Sequence, residues 1–343
     1  MINAAIPVIY STKSGTGEHE RRFERMLGSG HEFFKTRCKG DVAQLSIDLV
    51  KKKKKLILLA SGDTSIYELI NTLMAEFGPG LSNIIGIIPL GTASNTAHNL
   101  GFRSANQACK LQRQFMGGKK NIEDYVRGTD LLKVSFDDTS LYAASSFNLG
   151  LLSRVCHDAE KEKSGFIASL FKKLRIKKIS YAVKMIEASL SYDTFDAEMI
   201  YCRKGGEVGN FILPDIMNIN MTNGKQQAAI KNWNPNGCPY DGELEMMCIQ
   251  EMNLGKMVLL TGQMVLIGNH TRPAKDGAGY NRYGISYLDR LSSVNIRIAE
   301  DDYNYPFYIE LDGGSLQLQK PNESVKADIV PSAMNFIYRE PHR

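Results

Sequence analysis

The chain has 343 residues, 43% hydrophobic and 23% charged, with a formal net charge of +5, a composition that fits a folded chain long enough for two domains and excludes a disordered or fibrous one. So mild a positive charge is not the footprint of a nucleic-acid binder, and no nucleic-acid partner is expected. The six cysteines form no CxxC pair, which argues against a zinc site or a disulfide framework and for reduced thiols.

The opening residues, MINAAIPVIYS, lack a basic flank leading into an apolar core and a cleavage site, so no secretory signal is read. Ile6–Ser11 reads as a strand, 18–27 as a charged amphipathic helix, 32–36 as a second strand and 42–50 as a helix. The lysine run 51–55 reads as a solvated helix end. Two short apolar runs, 56–60 and 84–88, follow the pattern of buried parallel strands. Each runs into a turn containing glycine and then a helix. This alternation predicts a Rossmann-like parallel sheet whose ligands sit at the carboxyl ends of the strands.

Helix amino ends at that edge offer free N–H groups and a favourable dipole to anions, phosphate above all. The first turn, Ser61-Gly62-Asp63-Thr64-Ser65, adds a carboxylate to the amides. Asp63 there is either a metal ligand or base, or the N-cap of the helix carrying Ile66, Leu69, Ile70 and Leu73. Both readings stand at this point.

Beyond a helix at Ala105–Met116 and the Gly117-Gly118-Lys119-Lys120 break, the pattern changes to strands at 125–136, 141–148, 197–202, 210–221, 244–250, 257–267, 294–299 and 307–311. One helical interruption is read at 156–190. The expected organisation is an α/β domain over 1–128, an antiparallel β-rich domain over 129–325, and a last segment, 326–343, returning to the first domain. The Asn/Gly/Pro-rich stretch 232–241 with the single Trp233 reads as a surface loop able to act as a lid. No run of about eighteen apolar residues is present.

Five segments, in order, resemble motifs of the diacylglycerol kinase catalytic superfamily, which includes sphingosine and ceramide kinases. Ser11-Thr12-Lys13-Ser14-Gly15-Thr16-Gly17 is similar to the family's NPxSGxG loop. Thr36 with Gly40-Asp41-Val42-Ala43 is similar to its Thr…GxA element, and Ser61 to Asn71 to GGDGTxxEvvN. Pro89 to Gly101 resembles PxGTxNxxAxxLG, and Ile309-Glu310-Leu311-Asp312-Gly313 the DGE strand and turn. The resemblance implies an N-terminal domain like that of NAD kinase and diacylglycerol kinase, with ATP and Mg²⁺ as cofactors. It implies nucleotide contacts from Ser11, Thr12, Lys13, Ser14, Gly15, Thr36, Ser61, Gly62, Thr64, Ser65, Glu68, Gly91 and Thr92, with Lys172 and Lys178 where the family places arginines on the phosphates. Asp63 and Asp312 are the implied catalytic acids, Asp312 also the implied metal ligand.

The pattern departs from the family in three motifs: GGDGT has become Ser61-Gly62-Asp63-Thr64-Ser65, with Thr64 for a glycine; Ala93-Ser94 stands for the glycine and asparagine of the next motif, with Asn95 one position along; and Gly314 stands for the acid after the Asp-Gly turn. Phe147 to Glu160 resembles the sphingosine-kinase segment that recognises the head group: Gly150 and Glu160 match, Arg154 and Cys156 stand where the family has acids, and Asp158 either substitutes for them as a substrate contact beside Gly150 or faces solvent. Residues 161–184 carry eight Lys/Arg against one Glu, with Phe166, Ile167, Leu170, Phe171 and Leu174 at helical spacing. That composition fits both an interfacial helix on anionic lipid and a helix packed on its own domain. The expected function is a cytoplasmic, peripherally membrane-associated lipid kinase acting on a sphingoid or glycerolipid hydroxyl. An inactive lipid- or nucleotide-binding member and an NAD-kinase-like enzyme are the alternatives, and the sequence leaves the oligomeric state open.

Overall fold

The computed structural model describes residues 5–11, 19–38, 40–91, 94–161, 188, 192–227, 233–234, 236–262, 279–281, 284–299, 307–318 and 324–341. The N-terminal half alternates as its apolar spacing predicts: β1 (Ile6–Ser11), α1 (His19–Leu27), β2 (His31–Thr36), α2 (Asp41–Lys51), β3 (Leu56–Ser61), α3 (Asp63–Phe77), β4 (Leu81–Pro89), α4 (Asn95–Asn99) and α5 (Ala105–Met116). The four strands are parallel in the order β2-β1-β3-β4. Every residue of β3 is buried, because helices cover both faces and leave no polar side. Ile57, Leu58 and Leu59 pack there with Ile66, Leu69, Ile70 and Leu73 of α3 in one core. At about 25 cal/mol per Å² of apolar area removed from water, such burial is the main stabilising contribution.

After a 3₁₀ turn (Ile122–Tyr125) the chain becomes mainly antiparallel: β5 (Val126–Phe136), β6 (Thr139–Ala143), β7 (Ser146–Gly150), α6 (Leu151–Lys161), β8 (Phe195–Arg203), β9 (Val208–Thr222), β10 (Leu244–Gln250), α7 (Leu254–Gly262), β11 (Gly279–Asn281), β12 (Ile285–Ile298), β13 (Phe307–Leu311), β14 (Gly314–Leu318) and β15 (Val325–Ile337). Alternation along β10 shows why a strand forms there. Leu244, Met246 and Cys248 enter a second core, while Met247 and Ile249 pack on the other face with Trp233, Leu260 and Ile285.

β15 joins the two halves. It runs parallel to β4 through Met334–Phe336 and antiparallel to both β5 and β12, so one continuous sheet crosses the molecule. Its register breaks between Val330 and Met334, where Ser332 adopts φ 48°. Buried Asp130 holds that break by accepting from the N–H groups of Ser332 (2.8 Å) and Gly242 (2.6 Å).

Two sequence expectations are corrected. Residues 257–262 of the predicted strand 257–267 form the end of α7. Met257 and Leu260, three apart, turn inward while Val258 and Leu259 stay exposed, a helical rather than an alternating pattern; 263–267 lie outside the described residues. Trp233, read as part of a surface lid, is 3% exposed, and its indole N–H donates to Asn220 Oδ1 at 2.6 Å. A large apolar ring with one donor is buried wherever that donor finds a partner. Of the predicted helical stretch 156–190, α6 accounts for the start, and 162–187 and 189–190 lie outside the described residues.

Candidate active site

At the carboxyl ends of β3 and β4 two turns touch. A β-carbon on Gly91 would lie 2.7 Å from Gly62 Cα, so this approach requires glycine. Gly62 is the N-cap of α3, and Asp63 is the first residue of the helix. The Asp63 carboxylate does not cap its own helix; it reaches to α4 and accepts from Asn95 N–H at 3.0 Å and Thr96 N–H at 3.3 Å. Burial pushes its carboxyl up to about 6, against the lowering effect of these amides. Ser94, the N-cap of α4, sits in the left-handed region at φ 50°, ψ 44°. Behind the turn the buried Ser61 hydroxyl donates to Ser65 Oγ at 2.6 Å, while Thr64 is exposed.

The mainly antiparallel C-terminal half delivers the turn between β13 and β14 to the same place. Asp312 and Gly313 have φ 46° and 84°, the paired positive values of a tight hairpin turn. A β-carbon on Gly313 would stand 3.7 Å from Thr64 Oγ1 and 3.9 Å from Asp63 Cβ. The turn that carries Asp312 therefore lies against Asp63, one predicted catalytic acid coming from each half of the chain. Asp312 is 1% exposed and accepts from the backbone N–H groups of Ala144 (2.6 Å), Ser145 (3.0 Å) and Ser146 (2.9 Å). Burial, with the negative charges of Asp63 and Glu310 nearby, raises its carboxyl to about 8 against the opposing pull of the amides. Tyr67 of α3 packs against Gly314, where a β-carbon would meet its ring at 3.0 Å.

The other predicted residues are partly assembled here. Ser11 and Thr36 are paired at the ends of β1 and β2, and the Thr36 hydroxyl donates to Tyr10 O at 3.2 Å. Glu68 on α3 accepts from the N–H groups of Gly40 (2.9 Å) and Ala43 (3.2 Å), so it caps the amino end of α2. Gly150 has φ 108°, and a β-carbon there would strike Met217 O at 2.5 Å, a packing requirement at the end of β7. Asp158 on α6 pairs with Arg154 at 3.7 Å. Thr12, Lys13, Ser14, Gly15, Thr92, Lys172 and Lys178 lie outside the described residues.

Several residues that tie this site together are given no role by the motifs, although Asn71 closes one of them and Glu310 lies within another. Asn71 donates to Tyr142 O and accepts from Tyr142 N–H, both at 2.8 Å, so its amide copies a strand neighbour and pins α3 to β6. Asn99 donates to Ser145 Oγ at 2.9 Å and accepts from Gln226 N–H at 3.0 Å. Glu310, buried, accepts from Gly313 N–H and from Asn148 Nδ2. Asn148 in turn accepts from Asn220 at 2.9 Å, and Asn220 from Trp233. A chain of buried polar groups thus runs from Trp233 to the Asp-Gly turn. The signal available in the sequence was an excess of asparagine within apolar strands, FNLG and MNINMTN, where an unpartnered amide would be costly.

Residues 5–125 match the diacylglycerol kinase catalytic domain, the stretch that holds four of the five motifs. No curated protein matches the chain in sequence. Among solved structures, a diacylglycerol kinase from Bacillus anthracis str. Sterne is similar with a TM-score of 0.62 at 16% identity, covering 97% of this chain and 96% of the other. Yeast NADH kinase complexed with NADH is similar with a TM-score of 0.50 at 9% identity, covering 98% and 84%. The α/β fold with an N-terminal parallel sheet and a C-terminal antiparallel half is thereby shared with both.

Proposed function

We propose, from the premise that residues 5–125 form a diacylglycerol kinase catalytic domain, that the chain transfers the γ-phosphoryl group of ATP to a hydroxyl of a sphingoid-base or diacylglycerol-type lipid. The observation that carries this reading is the meeting of Asp63 with the Asp312-Gly313 turn at the amino end of α3. Phosphoryl transfer asks for positioning and neutralisation of charge more than for covalent chemistry. Backbone amides crowded by Gly62 and Gly91 suit the phosphates.

Asp63 is assigned the proton. As the acceptor oxygen bonds to the γ-phosphorus and the bond to the leaving ADP oxygen breaks, the hydroxyl proton passes to the Asp63 carboxylate. A carboxyl near 6 is ionised at neutral pH and more basic than an ordinary aspartate. Asp312, enclosed by three amides, is assigned to hold the turn against Asp63. Magnesium fits this donor set when the nucleotide supplies most of its ligands, since Mg²⁺ commonly takes one or two carboxylates with substrate phosphates. Among the described residues no group of three or more His, Cys, Asp or Glu could hold it alone, and Asp63 is the less buried residue of the pair.

A lipid acceptor implies work at a membrane surface. Among the described residues no helix is long and apolar enough to cross a membrane, and we assign surface contact to the basic and apolar sequence 161–184.

Labelled ATP, Mg²⁺ and mixed micelles of sphingosine or diacylglycerol, run beside Asp63→Asn and beside NAD as acceptor, test the proposal. Transfer to lipid should fall by about 100-fold or more in the variant, and the wild-type rate should decline below pH ~6 as Asp63 takes up its proton. Equal activity in the two proteins would remove Asp63 from the mechanism, and transfer to NAD alone would replace the lipid. One observation favours a second reading, a nucleotide-binding protein without turnover: both Asp63 oxygens already accept amide N–H groups. That reading predicts thermal stabilisation by ATP with no phosphate transferred.

A further inference from the structure

We infer that the opposite, amino end of the parallel sheet holds a second binding site, for a small amphiphile with a dianionic phosphate head. A cavity of about 540 Å³ opens there between the start of β1, the α2–β3 connection and the segment after α5. Its size is that of a site for a small organic ligand. Ile6, Leu56, Ile84 and Phe115 form an apolar wall, and Lys53, Lys54, Lys55 and Lys120 stand around it against the single acid Glu123.

The charge is not internally neutralised. Lys55 reaches Glu123 at 3.4 Å and Lys54 reaches Glu32 at 3.8 Å, while Lys120 lies 4.7 Å over the Tyr125 ring. Among the described residues Lys53 has no acidic partner. Its backbone carries the second argument. Lys53 N–H donates to Val50 O and Lys54 N–H to Leu49 O, the closing bonds of a helix end whose left-handed residue is most often glycine. Lys53 occupies that position at φ 56°. A lysine held in a conformation that suits glycine, at the mouth of a cavity with an apolar wall, points to a role for its ammonium group.

One apolar wall beside several lysines matches a short acyl tail joined to a phosphate monoester, which carries about −1.5 to −2 at neutral pH. The cavity is a strand's length, roughly 20 Å, from Asp63. The inference is independent of the kinase reading and asks for no turnover.

Calorimetric titration of the full chain with dihexanoyl phosphatidic acid below its micelle concentration tests it, alongside dihexanoyl phosphatidylcholine and inorganic phosphate. Saturable one-to-one binding of the phosphatidic acid is expected, unchanged by saturating ATP and at least tenfold weaker in both Lys53→Gly and Lys120→Gln. Because glycine relieves the left-handed backbone, Lys53→Gly should lose binding with an unchanged or raised Tm, which a misfolded variant would not show. Absence of saturable binding, equal affinity in the variants, displacement by ATP, or free phosphate or phosphatidylcholine binding as tightly as the phosphatidic acid would each overturn the proposal.

Discussion

On the N-terminal wall of the cleft, Gly62 and Gly91 bring two turns together by having no side chains. On the C-terminal wall, Asp312, Glu310 and Asn148 hold backbones and side chains together through hydrogen bonds to buried amide groups. One wall is defined by space left empty, the other by acceptors supplied, and the two should fail differently. Adding atoms damages the first through overlap. Removing atoms damages the second by stranding amides away from water.

The largest effect is expected on the acceptor side. Asp312→Ala removes the partner of three buried N–H groups at once, and stranded amides cost about 1–3 kcal/mol each when nothing replaces the bond. Allowing for relaxation, a loss on the order of 3–5 kcal/mol is expected in urea denaturation. A loss under about 1 kcal/mol would show that solvent reaches those amides and that the contrast between the walls is false.

The glycine side comes next. Gly91→Ala puts a methyl 2.7 Å from Gly62 Cα, closer than packed carbons allow, so backbone must shift at a cost of about 1–3 kcal/mol. Gly62→Ala meets Gly91 Cα at 3.4 Å and should be milder. If the two variants were equally stable, the turns would not be in the contact described, and the phosphate-facing amides would not owe their placement to it.

The same division decides what the sequence made legible. Wherever burial follows a regular period, the reading holds: the apolar runs of β3 and β4 gave two parallel strands, and the inward face of α3 the helix between them. Its reach ended where a side chain substitutes for backbone. Nothing local to Asn71 says that its amide pairs with Tyr142, 71 residues on. Asp63 likewise looks like a cap for its own helix, and only the fold shows it serving α4. Residues 257–262 failed for another reason, since a short apolar run has no period clear enough to separate strand from helix. Trp233 was misread by composition, because polar neighbours marked its stretch as surface although the ring has a buried partner.

Glu68 gives the smallest effect and the finest distinction, because it carries acceptor logic on the glycine wall. Its carboxylate accepts from Gly40 and Ala43 at the start of α2, where Gly40, at φ 97°, has no side chain with which to cap. Losing a capping acceptor costs about 0.5–2 kcal/mol, so Glu68→Ala should lower stability within that range, and Glu68→Gln by less, since the amide oxygen still accepts. The sequence resemblance implies instead that Glu68 touches the nucleotide. Thermal melts of both variants with and without ATP separate the two roles. A cap lowers the melting point of Glu68→Ala with little change in the shift that ATP adds. A nucleotide contact leaves the ligand-free melt unchanged and shrinks that shift, in which case α2 would be held by other groups and Glu68 would belong to the cleft.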